Sequence, residues 1–293
     1  MGSLDYRALA VLDAVASHGS FEKAAAALGI SQSAVSQRIK ALEDASGRLL
    51  IIRGQPAVPT GLGQRLITHH RHVKLMEASL DIDLGNSVSM PELAIAIDDD
   101  SLATWFPDAL APLLSPPRCQ LDIRLADSDA ALQLVRDGTV FGCVASDTGT
   151  DAPAASVTPL GSLHYVCVAT PVFAGHWFGD GFSAAAVQLA PAVVGQYSLL
   201  ARFLAQQLDL RAPFPHHRLP VEAARRACIL DGLAYGLLPQ RLAAQYLATD
   251  RLVDLAPGFT LEVPLHWHAW SLDTPFTKLL SEQIVRSARA WLI

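Results

Sequence analysis

Apolar residues recur at helical spacing through most of the first 80 positions. Between residues 4 and 17, Leu9, Leu12 and Val15 share one face, and Gly19 ends the pattern ahead of Ser20, a side chain suited to cap a helix. Ser20, Phe21, Glu22 and Lys23 open a second short helix running through Ala24 to Leu28. Its start has capping-box spacing, although Lys23 stands where an acid is expected. Gly29 and Ile30 form a turn, and Ser31 caps a third helix whose buried stripe is Val35, Ile39 and Leu42. Its opposite face carries Gln32, Ser33, Ser36, Gln37 and Lys40. Leu49 to Pro59 reads as a short apolar strand, a turn at Gly54 and a return containing two prolines, which suits a two-stranded wing with Arg53 near its tip. After Thr60, the residues Leu62, Leu66, His69, Val73, Met76 and Leu80 recur at spacings of 4, 3, 4, 3 and 4. Such a heptad seam predicts a helix paired with a second copy of itself.

Asp81 to Pro91, with Gly85, Asn86, Ser87 and Ser89, breaks the periodicity and reads as a linker. Beyond it, strands alternate with helices. Leu93, Ile95 and Ile97 mark a strand, a helix follows from Ser101, and Leu121, Ile123 and Leu125 mark a second strand. A helix around Ala131 to Arg136 stops at Gly138, a strand passes through Cys143 to Ala145, and the rhythm continues to a last helix near Thr274 to Leu292. This pattern predicts an α/β multi-domain chain.

Composition narrows the function. The 293 residues are 51% hydrophobic, enough to bury a sizeable core, and no run of 18 apolar residues occurs. The first residues lack the basic-then-apolar pattern of a secretory signal, so a cytoplasmic protein without a membrane partner is expected. Cys119, Cys143, Cys167 and Cys228 are widely spaced and form no CxxC pair, and they read as reduced, mostly buried thiols. The net charge of −6 hides an asymmetry: residues 1 to 80 carry nine Lys and Arg against six acids, a mildly basic head on an acidic body.

A helix can read the major groove when one face is polar and the other locks it to its domain. Gln32, Ser33, Ser36 and Gln37 can meet base edges, while Arg38, Lys40 and Arg53 can neutralise phosphates. Alone, that face also fits a plain solvated helix. However, Phe21 to Ala25 and the run from Leu28 through Ser31, Gln32, Ser33, Val35, Ser36, Gln37, Arg38 and Lys40 to Glu43 resemble the helix-turn-helix signature of the LysR-type transcriptional regulators. Arg53 and Pro59 to Gly63 resemble that family's wing end and linker-helix start, and Leu233 to Pro239 resembles its glycine-containing segment before a late helix.

The resemblance spans nearly the whole chain. It implies a winged helix-turn-helix over 1–60, with Ser31 and Thr60 among the DNA-binding residues, and a linker helix and hinge over 61–90. A two-lobed, periplasmic-binding-protein-like α/β effector domain would cover 91–293. Its first lobe would span about 91–162 and 269–293, and its second about 163–268. It also implies a dimer of dimers, a double-stranded promoter as partner, and RNA polymerase downstream. Asp5 to Arg7, Asp100 to Trp105 and the pair Trp267 and His268 resemble the ArgP/LysG branch, whose members activate export of basic amino acids. Asp98, Asp99, Asp100 and the stretch Gln196 and Tyr197 depart from that branch.

In a two-lobed α/β sensor, ligands sit beyond the carboxyl ends of the strands. Ser101 and the N–H groups leading to Thr104 can hold an α-carboxylate there, and Asp99, Asp100, Asp127 and Asp129 can hold an amine or guanidinium, which suits lysine or arginine. Cys143, Ala145, Gln196 and Tyr197 are further candidates for the crevice wall. An alternative is that Ser101 only caps its helix and the acids only solvate strand ends. Trp105 and Trp267 read as core or crevice wall. Neither His266 with His268 nor His69, His70 and His72 has metal-ligand spacing, and His69 reads as a polar seam residue. No cofactor is expected. GxSxG, GxxxxGK[ST] and HExxH are all absent, so the chain is not expected to be an enzyme. A thiol-based redox sensor using Cys119 or Cys228 stays open, since Arg118 adjoins the first and Arg225 and Arg226 lie near the second. A solute-binding transport protein is a more distant alternative, one that leaves residues 20 to 60 without a purpose.

Overall fold

The N-terminal helices begin and end where short polar caps and glycines dictate. In the computed structural model, which describes residues 4–83, 92–115, 119–146, 155–195, 199–272 and 274–292, α1 spans Tyr6–His18 and starts at Asp5, whose carboxylate accepts the Arg7 and Ala8 N–H groups. Helix α2 (Phe21–Leu28) is capped by Ser20, and α3 (Gln32–Ser46) by Ser31. Gly29 and Gly47 close α2 and α3 in the left-handed conformation. Leu9, Leu12, Val15, Ala24, Val35 and Ile39 form the core of this head. Strands β1 (Ile51–Ile52) and β2 (Val58–Pro59) pair antiparallel as the wing.

Helix α4 (Gly61–Asp83) is about 35 Å long at 1.5 Å per residue. Thr60 starts it, accepting the Gly63 N–H at 3.1 Å and donating its hydroxyl to the Leu49 carbonyl at 2.9 Å. Gly63 sits against the Leu50 carbonyl so closely that a Cβ there would overlap it. Ile67 completes the head core. Of the heptad seam, Leu62 and Leu66 pack against that core, Val73 is half-buried, and His69, Met76 and Leu80 face outward, the last two being 43% and 57% exposed. The helix runs on to Asp83, past the start of the expected linker, and the rest of that linker lies outside the described residues.

The remaining chain forms one curled, mixed sheet. Its first part comprises β3 (Glu92–Ile97), α5 (Asp99–Ala103), α6 (Phe106–Leu114), β4 (Gln120–Leu125), α7 (Ser128–Arg136), β5 (Gly142–Ala145) and the long β6 (Ala155–Ala169). Then come α8 (Pro171–Trp177), α9 (Ala184–Val187), β7 (Ala192–Val194), α10 (Leu199–Leu208), β8 (His216–Arg218) and α11 (Glu222–Leu230). The chain closes with β9 (Tyr235–Pro239), α12 (Gln240–Leu247), β10 (Val253–Asp254), β11 (Leu261–Trp270) and α13 (Pro275–Trp291). Strand order is β4, β3, β5, β11, β6, β9, β7, β8, with β10 on β6. Parallel β3, β4 and β5 make one lobe, β7 to β10 belong to the other, and the long strands β6 and β11 run through both. On β11 the pairing shifts between Leu265 and His266, and His266 to Ala269 lie against β5 of the first lobe. Trp105 and Trp267 are fully buried, the latter donating its indole N–H to Ser281 at 3.1 Å.

One expectation is corrected here. The helix after β3 begins at Asp99 and is capped by Asp98, which accepts the Ser101 N–H at 2.8 Å; Ser101 lies inside the first turn instead of heading it. A carboxylate at the position before the helix takes the cap because it reaches the orphan N–H groups without entering the helix itself.

Candidate DNA-reading face and sensor crevice

On α3, Gln32, Ser33, Gln37, Arg38 and Lys40 are exposed, Ser36 is half-buried, and Val35, Ile39 and Leu42 pin the opposite side to the head. Ser31 divides its hydroxyl between the Ala34 N–H at 3.2 Å and the Ser33 hydroxyl at 2.9 Å. Thr60 is engaged on the wing side, so its hydroxyl fixes geometry between wing and linker helix. Arg53 stands exposed on the wing with its guanidinium 5.4 Å from the Phe21 ring, an arrangement that holds the charge beside α2. Sequence reasoning missed Glu43. Its carboxylate accepts the Leu50 and Ile51 N–H groups at 2.8 and 3.3 Å and so sets the wing against the end of α3. The exposed polar groups of α3 and the exposed cation of the wing are of the kinds that meet base edges and phosphates in a major groove.

The linker helix also touches the first lobe. Thr68 donates to the Asp137 carbonyl at 2.8 Å, as does Gln64, and Arg71 reaches the Gly138 carbonyl at 3.2 Å. His72 lies edge-on to Trp270 at 4.4 Å, and burial, then His69, pushes its pKa down to about 4. A mixed-charge crevice of about 550 Å³ follows this junction, lined by Asp13, Arg71, Lys74, Glu77, Asp122 and Arg124 among others.

At the carboxyl ends of β3 and β4 the chain presents Asp98 to Asp100 and Asp127. Asp127 caps α7 by accepting the Ala130 N–H at 2.8 Å, and Asp129 is exposed in that helix's first turn. Cys143 and Ala145 are buried beneath α7 with Ala131, Leu132 and Val135. Burial pushes the Cys143 thiol up to about 12. Gln196 and Tyr197 lie outside the described residues. Around Ser101 the backbone donors are already engaged: Ser101 N–H with Asp98, Leu102 N–H with the Asp98 carbonyl at 3.1 Å, and Thr104 N–H with the Ser101 carbonyl at 3.3 Å. The Thr104 hydroxyl donates to the Asp100 carbonyl at 2.7 Å.

Asp99 and Asp100 instead meet the second lobe. The Asp100 carboxylate accepts from the Tyr165 hydroxyl at 3.0 Å and from Arg225 at 2.5 Å, and Asp99 accepts the Glu222 N–H. The Arg225 guanidinium also lies 3.8 Å from Asp99. Burial raises Asp98 above the usual carboxylate range, and it lifts Asp100 to about 6 despite the pull of Arg225. Burial and neighbouring Asp100 push the Tyr165 hydroxyl well up, so it stays a donor. Arg225 and Tyr165 are the partners of Asp100 that sequence reasoning missed. Tyr165 and Arg225 lie 65 and 125 positions from Asp100, respectively, and the fold brings all three together.

The thiols sit in environments that disfavour thiolate. Cys119, Cys143 and Cys167 are buried, and all four are raised, Cys228 by burial and then by Asp231. The two cations near Cys228 are engaged elsewhere: Arg225 as above, and Arg226 with Glu222 at 3.0 Å and the Tyr246 hydroxyl at 3.1 Å. Arg118 lies outside the described residues.

Comparison with known proteins agrees with this two-part construction. Residues 6–64 match the model of the bacterial regulatory helix-turn-helix proteins of the lysR family, and residues 87–289 match the LysR substrate binding domain. The chain is 38% identical over 296 residues to the HTH-type transcriptional regulator ArgP of Pseudomonas aeruginosa, covering 99% of this chain and 97% of that one. In three dimensions it resembles ArgP from Mycobacterium tuberculosis, with a TM-score of 0.87 at 32% identity. It also resembles full-length LysG from Corynebacterium glutamicum with bound effector arginine, with a TM-score of 0.80 at 31% identity. Both alignments cover 99% of each chain. A polar recognition helix with a cationic wing, a long linker helix and a two-lobed α/β sensor, matched from end to end by these relatives, establish that the chain belongs to the LysR family of DNA-binding transcriptional regulators.

Proposed function

We propose that this regulator senses a basic amino acid, lysine or arginine, between the lobes of its sensor and controls an amino-acid exporter gene or a related one. The observation that carries the reading is the paired carboxylates of Asp99 and Asp100 at the lobe seam, in a setting that already accommodates a guanidinium. The arginine bound to the LysG relative supports the same class of ligand.

In this reading residues 1–60 bind promoter DNA, 61–90 form the dimerising helix and hinge, and 91–293 sense the effector. Ser31, Gln32, Ser33, Ser36, Gln37, Arg38, Lys40, Arg53 and Thr60 make up or support the DNA surface. The outward seam residues His69, Met76 and Leu80 pair with a second copy, and two dimers make a tetramer. The protein acts in the cytoplasm, uses no cofactor, performs no catalysis, and passes its signal to RNA polymerase by changing DNA bend or spacing. Where activation is concerned, the ligand shifts an equilibrium between lobe arrangements in proportion to its different affinity for each.

Calorimetric titration of the full chain with lysine, arginine, glutamine and glutamate tests the reading. Saturable heat confined to the basic pair is the expected result. A folded chain that binds neither lysine nor arginine refutes the effector assignment and leaves the family intact.

A further inference from the structure

Arg225 occupies a position that a sensor of basic amino acids would be expected to keep for its ligand. It rises from α11 of the second lobe, is only 7% exposed, and places one guanidinium nitrogen 2.5 Å from Asp100 Oδ1 across the seam. Its other arm donates to the Leu219 and Pro220 carbonyls at 3.2 and 3.0 Å. Gly195, at the end of β7, leaves room for it, since a Cβ there would stand 3.2 Å from that arm. Tyr165 donates to the second oxygen of Asp100. Both oxygens of this carboxylate are therefore held by the chain's own donors, one of them a guanidinium like that of arginine.

We infer that Arg225 is a tethered occupant of the sensor crevice: without effector, its guanidinium holds Asp99 and Asp100 where the cation of a basic amino acid would sit, and effector binding exchanges one cation for the other. The inference rests on the proposed effector reading and adds a regulatory role for this side chain. Three consequences follow from the geometry. The exchange keeps Asp99 and Asp100 paired with a cation throughout, where a buried carboxylate without one would be costly. Only a ligand that carries its own side-chain cation can replace Arg225, so neutral amino acids are excluded even where their backbone groups would fit. Because the occupant is tethered, it competes at a fixed high local concentration and raises the ligand concentration at which the regulator responds.

A second arrangement, with Arg225 as anchor for the ligand's α-carboxylate, predicts the opposite effect of removing it. This difference makes the test directional. The full-length chain and its Arg225→Gln and Arg225→Lys variants are titrated calorimetrically with arginine and with lysine at pH 8, and hydrogen exchange of residues 99–104 is followed without ligand. With the tethered occupant removed, Arg225→Gln binds arginine about tenfold more tightly, as release from a closed-state population cost requires. Exchange at 99–104 also becomes faster and is slowed again by arginine. Arg225→Lys, whose ammonium cannot span the same fork of acceptors, falls between the two and serves if the glutamine variant does not fold. Equal or weaker arginine binding by the folded variants, with binding by the unaltered chain, overturns the inference and leaves the effector reading standing. No binding of either amino acid by any folded form refutes the effector reading and the inference with it.

Discussion

The guanidinium of Arg71 on the linker helix meets the carboxylate of Asp13 on the first helix of the head at 2.6 Å, and its other arm bonds the Gly138 carbonyl of the sensor at 3.2 Å. One side chain therefore touches both the DNA-binding head and the first lobe. The ion pair is partly exposed, so its contribution to stability is small, on the order of 1 kcal/mol or less. Its value lies in position. Arg71→Ala is expected to leave DNA binding without ligand and arginine binding without DNA nearly unchanged, while reducing the effect of each on the other. Allosteric couplings of this kind amount to roughly 1–3 kcal/mol. Operator titrations with and without arginine measure the coupling, and an unaltered difference in the variant would show that the signal bypasses Arg71.

Gly138 sits beneath the Thr68 side chain in a left-handed backbone conformation with φ of +61°. A Cβ at that position would overlap Thr68, whose own Cβ would be 2.7 Å away. Gly138→Ala is accordingly expected to lower stability by about 1–3 kcal/mol, combining overpacking with backbone strain. Thermal unfolding reads the loss. Adding Thr68→Ala removes the Cγ2 and Oγ1 contacts but keeps the Cβ contact at 2.7 Å and leaves the part due to φ, so complete rescue would contradict this account.

On the proposed DNA-reading face, side chains divide by partner. Gln32→Ala removes an exposed group at the start of α3 and is expected to weaken binding to the specific operator more than to unrelated DNA. Arg53→Ala removes a phosphate cation held beside Phe21 and is expected to weaken both and to shallow the salt dependence by about one unit of slope. Mobility-shift titrations over a range of salt separate the two, and equal loss of sequence preference in both variants would sink the assignment.

Two groups give the protein opposite responses to acid. His72 is held near pKa 4, while in the unfolded chain it takes a proton near 6.5. Its contribution to stability is therefore full above about 6.5 and is lost as the pH falls toward 4. Asp100 is raised from 3.8 to about 6, so its ionisation opposes folding at neutral pH, and that opposition is relieved as the pH falls through 6 toward 3.8. His72→Phe is expected to flatten the acid side of the stability curve measured by urea denaturation between pH 7 and 5. Arginine binding should weaken below about pH 6 as the Asp100 carboxylate takes up a proton, and Asp100→Asn should remove both the high-affinity binding and its pH dependence. Arginine affinity that is constant from pH 7.5 to 5.5 would exclude Asp100 as the carboxylate that holds the ligand.

The helix boundaries of the head were legible because each is set by neighbours in sequence: Ser20 and Ser31 cap α2 and α3, Gly29 and Gly47 end them, and Val35, Ile39 and Leu42 mark the buried side. The long helix after Thr60 was legible for the same reason, although Leu62 and Leu66 of its apolar series serve the head core. The start of α5 was misplaced because Asp98 and Ser101 are both good capping residues, and only backbone geometry decides which one precedes the helix. Of the candidate sensor residues, the sequence located the acids but not what they face. Asp99 and Asp100 announce themselves as carboxylates at a strand end, whereas their engagement by Arg225 and Tyr165 depends on how the fold packs α5 against β6 and α11.

The sequence alone thus determined the helices of the head, the polar face of α3 and the kind of charge at the strand ends, since these follow from periodicity, capping and residue type within a few positions of each other. Only the tertiary structure decided which charges are already paired, because the partner of Asp100 lies 125 residues away and burial, not spacing, sets what that pair is worth.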